Sequence, residues 1–295
     1  MARIRPFRAI RYGDDHFGAL EALISPPAAI ERPPRGAPLN HLDPRNILHI
    51  VRGSGEDPDN PYQPAAALVG RWLAEGVFVR EPQAAVYLLE LIAEEGPALN
   101  SIFALLHLFD ERGQPGAIPH ESIERQERVT DIVHAIEACR IQASPVQVIA
   151  NDDNHAIRSW VQRHDDQRSL HFGFGMGGKG RVSRIIETDA LEDLVQIMEP
   201  HQLVIADGHH RYEAAVRYRQ AVRMRDQLRP GDLHPIDTIF VHIVVAQDPG
   251  LNVIGAPSPL DVWRNAVAGT SYGAKATRFS PKAPKGVILA SLECF

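Results

Sequence analysis

The stretch LVIADGHHRYEAAVRYRQ, residues 203–220, sets an apolar run, an Asp-Gly break and a His-His-Arg triplet ahead of a helix-forming segment. A strand that enters a helix through Asp207-Gly208 aims the first free backbone N–H groups at whatever lies above the sheet edge. Those donors and the helix dipole favour an anion, typically phosphate. Gly208 permits close approach or a positive φ. Arg211 offers a bidentate phosphate contact, and His209 and His210 can donate hydrogen bonds or move protons near neutral pH. Asp207 has three roles open to it, as helix cap, as partner of a histidine and as magnesium ligand. The competing reading is a plain N-cap followed by two surface histidines.

A second cluster lies in PHESIERQER, residues 119–128, expected at the start of a helix over 119–143 with Ile123, Val129, Ile132, Val133 and Ile136 on one side. His120 and Glu124 stand at i, i+4, the spacing of a metal pair, but a zinc-protease helix requires a second histidine at 124. Glu121 suits a general base for a substrate hydroxyl or a Mg²⁺ ligand, with His120 beside it. The alternative is a first-turn glutamate stabilised by the helix dipole. The segment GFGMGGKG, residues 173–180, matches two phosphate-loop patterns, yet RVSRII after it alternates like a strand. It reads as a glycine-rich turn between two strands rather than a loop feeding a helix.

These residues must be positioned by a real core, which 295 residues with 44% hydrophobic content can supply. No apolar run reaches the roughly 18 residues of a membrane span, and MARIRPFRAIRY lacks an export core, so a cytoplasmic protein without membrane contact is expected. Cys139 and Cys294 have no metal spacing, and Cys139 reads as a small apolar residue of a helix. A net charge of −6 argues against a surface built for nucleic acid. Arg217, Arg219, Arg223, Arg225 and Arg229 form a local basic face that is usually solvated.

Strands are expected at NILHIVRG (46–53), AAVYLLELIA, SIFALLHLFD, SPVQVIAND, QLVIA and DTIFVHIVVAQD. Helices are expected from Pro64 to a C-cap at Gly76, with Ala67, Leu68, Trp72 and Leu73 inward, over LEDLVQIME, and over 209–228, where Ala214, Ala215, Tyr218, Ala221, Val222 and Leu228 pack inward. The fold class is therefore α/β or α+β, a mixed sheet with flanking helices. Residues 1–251 form one domain, divisible into sub-lobes 1–150 and 151–251. Residues 252–295 change composition, with three of the four lysines in the last 21 residues, and read as a divergent, disordered or truncated tail.

The string VIADGHHRYEAA resembles the signature of the family called domain of unknown function 1015. The resemblance extends to RPFRAIRY, AAVYLLEL, PHESIERQER, SPVQVI and VVAQDPGL, covering roughly residues 3–251. That signature in turn resembles the strand, Gly-His-Arg loop and helix of the ParB and sulfiredoxin superfamily, which includes free-serine kinases. The resemblance implies a nucleotide core in which Gly208, His209, His210 and Arg211 cradle phosphate. Sulfiredoxin chemistry requires a cysteine in this loop, which holds none. A partitioning role requires a following DNA-binding helical domain, and nucleic acid is not an expected partner. The implied activity is transfer of phosphate from ATP or ADP with Mg²⁺ to a small hydroxyl compound such as an amino acid. Asp207 would hold Mg²⁺ or a histidine, and Glu121, beside His120, would accept the hydroxyl proton. The alternative is a nucleotide-sensing regulator without turnover. The chain departs from the family pattern at Pro26-Pro27-Ala28-Ala29-Ile30, where members read Pro-Pro-Tyr-Asp-Val-Ile, and after Leu251, where NVIGAPSP replaces Pro-Thr-His-Arg.

Overall fold

The computed structural model describes residues 2–24, 42–53, 61–92, 96–121, 125–165, 169–173, 178–229, 231–254, 256–269, 278–280 and 290–291. Their strands and helices run β1 Ile4–Arg5, β2 Ile10–Tyr12, α1 Leu20–Leu23, α2 Leu48–Val51, α3 Gln63–Ala74, β3 Phe78–Arg80, β4 Val86–Ile92, β5 Leu99–His107 and β6 Ala117–Pro119. There follow α4 Gln126–Cys139, β7 Ile141–Gln142, β8 Val146–Ala150, α5 Ala156–Arg163, β9 Ser169–Gly173, β10 Lys179–Ile185, α6 Thr188–Met198, β11 Leu203–Asp207 and α7 His209–Arg225. Last come β12 Thr238–Val245, β13 Asn252–Ile254, α8 Pro259–Val267, β14 Arg278–Ser280 and β15 Ala290–Ser291. Ile123, Glu124, Lys275, Lys282, Lys285, Cys294, the Pro26–Ile30 motif and 174–177 of the glycine-rich turn lie outside the described residues.

The expected mixed α/β fold is present, as one nine-stranded sheet in the order β6-β11-β8-β12-β5-β4-β10-β9, with β1 paired to β5. β6 is parallel to β11 and β8 to β12, while the other neighbours are antiparallel. The long apolar runs form its centre: β12 is buried along its whole length, and β5 is buried at all but Asn100. Strands with both sides covered read as continuous apolar segments, so β4, β5, β8 and β12 were visible in the sequence.

One cluster covers one side with Phe7, Tyr12, Trp72, Phe78, Phe103 and Phe240. On the other, Trp160, Leu194, Met198, Ile205, Tyr212 and Val241 pack together. α7 bridges this second cluster and α4. It sends Tyr212 and Ala215 to the sheet, and Ala214, Tyr218 and Val222 against Val129 and Ile136. Ala221, expected inward, is exposed. α3 buries Ala65, Val69 and Trp72 and leaves Ala67 exposed, and Gly76 closes it at φ +74°. β9 and β10 form the antiparallel pair expected around the glycine-rich turn.

Two expected elements differ. Within residues 46–53 the chain forms the short helix α2, Leu48–Val51, instead of a strand. Asn46 Oδ1 accepts from the Leu48 N–H at 3.0 Å, and the Val51 and Arg52 N–H groups bond back to Ile47 and Leu48. This side-chain turn offers the backbone a local alternative to a ladder. The helix expected over 119–143 begins only at Gln126, because 117–119 pairs with β11 as an edge strand ending at Pro119. Proline is tolerated there since its missing N–H is not needed by a further neighbour. His120 and Glu121 thus leave a strand end and do not sit on a helical first turn.

His242 of β12 is fully buried, with Nε2 2.6 Å from Ser101 Oγ. Ser101 gives its own proton to the Leu89 carbonyl at 2.9 Å, so Nε2 must donate and Nδ1 keeps its lone pair. Burial pushes the His242 pKa down to about 3. In the unfolded chain the same ring takes a proton near 6.5. Stability from this residue is therefore complete above that value and lost as pH falls from 6.5 toward 3, at about 1.4 kcal/mol per pH unit. Urea titrations across pH 7 to 4 should give a shallower slope for His242→Gln than for the wild type. Equal slopes would show that His242 is not the titrating group.

Candidate functional site

The parallel register that pairs Ile205 with Pro119 brings the carboxyl ends of β6 and β11 side by side. In α/β sheets this is where ligands bind. The ladder between β11 and β8 shifts register between Ile205 and Asp207, a bulge that re-aims the strand end next to the turn. Gly208 then turns the chain at φ +96°, in the left-handed region open to glycine, and the 17-residue helix α7 follows directly. The first intrahelical bond runs from the Tyr212 N–H to the Gly208 carbonyl at 3.0 Å. The N–H groups of His209, His210 and Arg211 therefore have no intrahelical partner.

Six of the seven residues singled out as phosphate or catalytic groups lie within this junction or touch it directly, and His210 follows His209 on the same turn. His209 is buried, and its Nε2 accepts the His120 backbone N–H at 3.3 Å. A ring nitrogen that accepts must present its lone pair, so the ring proton sits on Nδ1. That atom lies 3.0 Å from Glu121 Oε1, within ion-pair range although the N–H is not aligned on the oxygen. Burial raises the Glu121 pKa, but the contact with His209 and the neighbouring His209 and His120 rings outweigh it and hold the carboxyl below its ordinary value. Glu121 is thus a carboxylate at neutral pH, a quarter exposed.

His120 is buried and points Nδ1 at the Ile205 carbonyl. Its ring meets His209 edge-on at 4.7 Å and Phe279 at 5.8 Å. Burial depresses its pKa, as does His209, so the ring is neutral. With the proton on Nδ1, the buried Nε2 carries a lone pair and has no hydrogen-bond partner among the described residues. His210 is half-buried and is also kept neutral, first by burial and then by the charge of Arg128.

Arg211 folds back along the turn, its Nη2 2.7 Å from Asp207 Oδ2. A Cβ placed on Gly208 would come within 2.6 Å of that nitrogen. The guanidinium therefore packs directly on Gly208, and Asp207 holds it there. Asp207 ends β11 and the N-cap position belongs to Gly208, which removes the plain N-cap reading of Asp207. Among the described residues no group of three or more His, Cys, Asp or Glu could hold a metal ion.

Tyr212 was missed as a positioning residue. Its hydroxyl donates to the Leu108 carbonyl at 2.8 Å and receives the Ala117 N–H at 3.4 Å, which ties the first turn of α7 to the start of β6. Its spacing three after His209 was the available signal. The arginines further along α7 are committed within the chain. Arg217 pairs with Glu213 at 2.9 Å, Arg219 and Arg223 both reach Asp237 at 2.6 Å, and Arg225 pairs with Asp226 at 2.8 Å. The basic face read from the sequence is thus largely neutralised by acidic neighbours.

A family model described as "Protein of unknown function (DUF1015)" matches residues 4–256. The chain belongs to this family. The DUF1015 match contains every residue of the junction except Phe279, which arrives from beyond its end. No curated protein and no solved structure matches the chain. Among the described residues of this DUF1015 chain, no helix is long and apolar enough to cross a membrane.

Gly208→Ala should destabilise the protein by about 1–2 kcal/mol, the cost of a side chain in the left-handed region, with a further loss from displacing Arg211. In urea unfolding, adding Arg211→Ala to this variant should recover part of that loss. If the double variant is less stable by the sum of both single effects, the close contact does not exist.

Proposed function

We propose that this chain binds the phosphates of ATP or ADP at the first turn of α7 and transfers the terminal phosphate to a small hydroxyl compound. The observation that carries this reading is the Glu121–His209 contact beside the open N–H groups of α7. It sets a general-base candidate next to an anion cradle at the carboxyl ends of two parallel strands. The resemblance of the Gly-His-Arg loop to that of free-serine kinases supports the same chemistry.

In this scheme the N–H groups of His209, His210 and Arg211 bind phosphate oxygens, and the Arg211 guanidinium reaches them with nitrogens not engaged by Asp207. Glu121 accepts the proton of the substrate hydroxyl. That oxygen bonds to the terminal phosphorus as the P–O bond to the leaving nucleotide breaks, and the electron pair departs on the nucleotide oxygen. His209 keeps Glu121 oriented and ionised, as a positioning residue. Mg²⁺ with a nucleotide is typically held through one or two carboxylates plus substrate phosphates, and Asp207 is the carboxylate of this junction that would hold it. Bound with the nucleotide, Mg²⁺ would neutralise charge on the phosphates.

A thermal-shift panel of ATP, ADP, CTP, GTP and inorganic phosphate with Mg²⁺ tests binding. A nucleotide at ~100 times its Kd adds about 2.7 kcal/mol of stability, and Arg211→Ala should abolish the gain. Glu121→Gln should keep nucleotide binding and lower phosphate transfer by about 10²–10⁴-fold. Binding without turnover in the wild type, across a panel of small hydroxyl acceptors, would favour a nucleotide-sensing regulator. Absence of any shift with a cooperatively melting protein would contradict the phosphate site itself.

A further inference from the structure

Arg211 is held in a way that leaves part of it unsatisfied. Its Nη2 lies 2.7 Å from Asp207 Oδ2, and a Cβ on Gly208 would come within 2.9 Å of both Cζ and Nε. The face of the guanidinium therefore rests on the glycine that precedes α7, at the end of the helix where the first-turn N–H groups lie. In that position Nε is buried and makes no hydrogen bond among the described residues. Two further nitrogens of the junction, His120 Nε2 and His210 Nε2, are likewise buried without a partner. An unpaired buried donor or acceptor is rare in folded proteins and marks strain, chemistry or an absent partner.

The orphaned nitrogen belongs to the fork that arginine uses best. Nε and one Nη present parallel donors that match two oxygens of a carboxylate or phosphate. The contact with Asp207 uses Nη2 and leaves Nε out. The pair is also partly open to water, with Arg211 21% and Asp207 32% exposed. A pair of that kind contributes modestly and exchanges readily for a partner that satisfies both donors.

We propose that Asp207 and Arg211 form a latch at the phosphate site, closed in this structure, and that a bound phosphate opens it by replacing Asp207 as the partner of the guanidinium. The phosphate takes Nε and Nη2 together, and Arg211 leaves its seat on Gly208 to reach it. The inference rests on the phosphate reading of the junction and adds how the site opens. Binding then costs the Asp207–Arg211 pair, so Asp207 weakens phosphate affinity by about the worth of that pair.

Inorganic phosphate titrated into the ¹⁵N-labelled full chain, without divalent cations, tests it by NMR and calorimetry together. The Arg211 Nε–H signal, assigned by its absence in Arg211→Lys, should shift with the same midpoint as the heat of binding. Asp207→Asn keeps an oxygen acceptor and loses the charge, and it should bind phosphate about three- to fivefold more tightly. Glu121→Gln removes a charge from the same junction, but Glu121 contacts His209 and not Arg211, so phosphate affinity should stay unchanged. Phosphate binding with an unmoved Nε–H signal, no gain in Asp207→Asn, or an equal gain in Glu121→Gln would overturn the latch and leave the phosphate site standing. If neither the wild type nor Asp207→Asn binds phosphate, the phosphate reading falls and the latch falls with it.

Discussion

The candidate site depends on one ring. His209 is the first residue of α7, and it joins that helix to the end of β6 by accepting the His120 N–H on one side and facing Glu121 on the other. Because the backbone donor claims Nε2, the proton has only one place to sit, on Nδ1, which lies 3.0 Å from Glu121 Oε1. A buried imidazole with both nitrogens assigned is a rigid spacer. It sets the distance between a carboxylate and the first-turn N–H groups of α7, which is what the proposed phosphate transfer would require.

The rest of the structure keeps that ring in place. Parallel pairing of β6 with β11 aligns the two strand ends, and Tyr212 bonds across to Leu108 and Ala117 so that α7 cannot rotate about its first turn without losing both contacts. On the far side α7 packs on α4, and Asp237 gathers Arg219 and Arg223. Asp237 is itself buried; burial raises its pKa, but the two arginines dominate and hold it below the usual carboxylate range. The arginine-rich sequence of α7 is in this sense an anchoring device. Phe279, from beyond the family match, closes the edge of His120.

The buried strands and the long helices were legible because their signals are local: continuous apolar runs, a 3.6-residue stripe, Gly76 and Gly208 at helix ends. The junction was legible as well, since strand, glycine and helix are adjacent in the chain. What was not legible depends on partners distant in sequence. Nothing near Ala117–Pro119 announces that β11 will take it as a neighbour, so the proline looked like a helix start. α5 was overlooked because its buried side chains, Ile157 and Trp160, are only two and sit among charged and polar residues; Asp152, which accepts from the Ile157 and Arg158 N–H groups, starts it from outside the helix. The pairing of Glu121 with His209 spans 88 positions, and residue types alone leave it one option among several.

The central claim is that His209 carries its proton on Nδ1 toward Glu121 and accepts on Nε2. Long-range ¹⁵N–¹H correlation spectra of the imidazole rings at neutral pH, with His209→Gln to assign the signals, read that tautomer directly. The account predicts an Nδ1–H tautomer for His209 that changes its ¹⁵N shifts in Glu121→Gln. An Nε2–H tautomer, or a ring indifferent to Glu121, would contradict it.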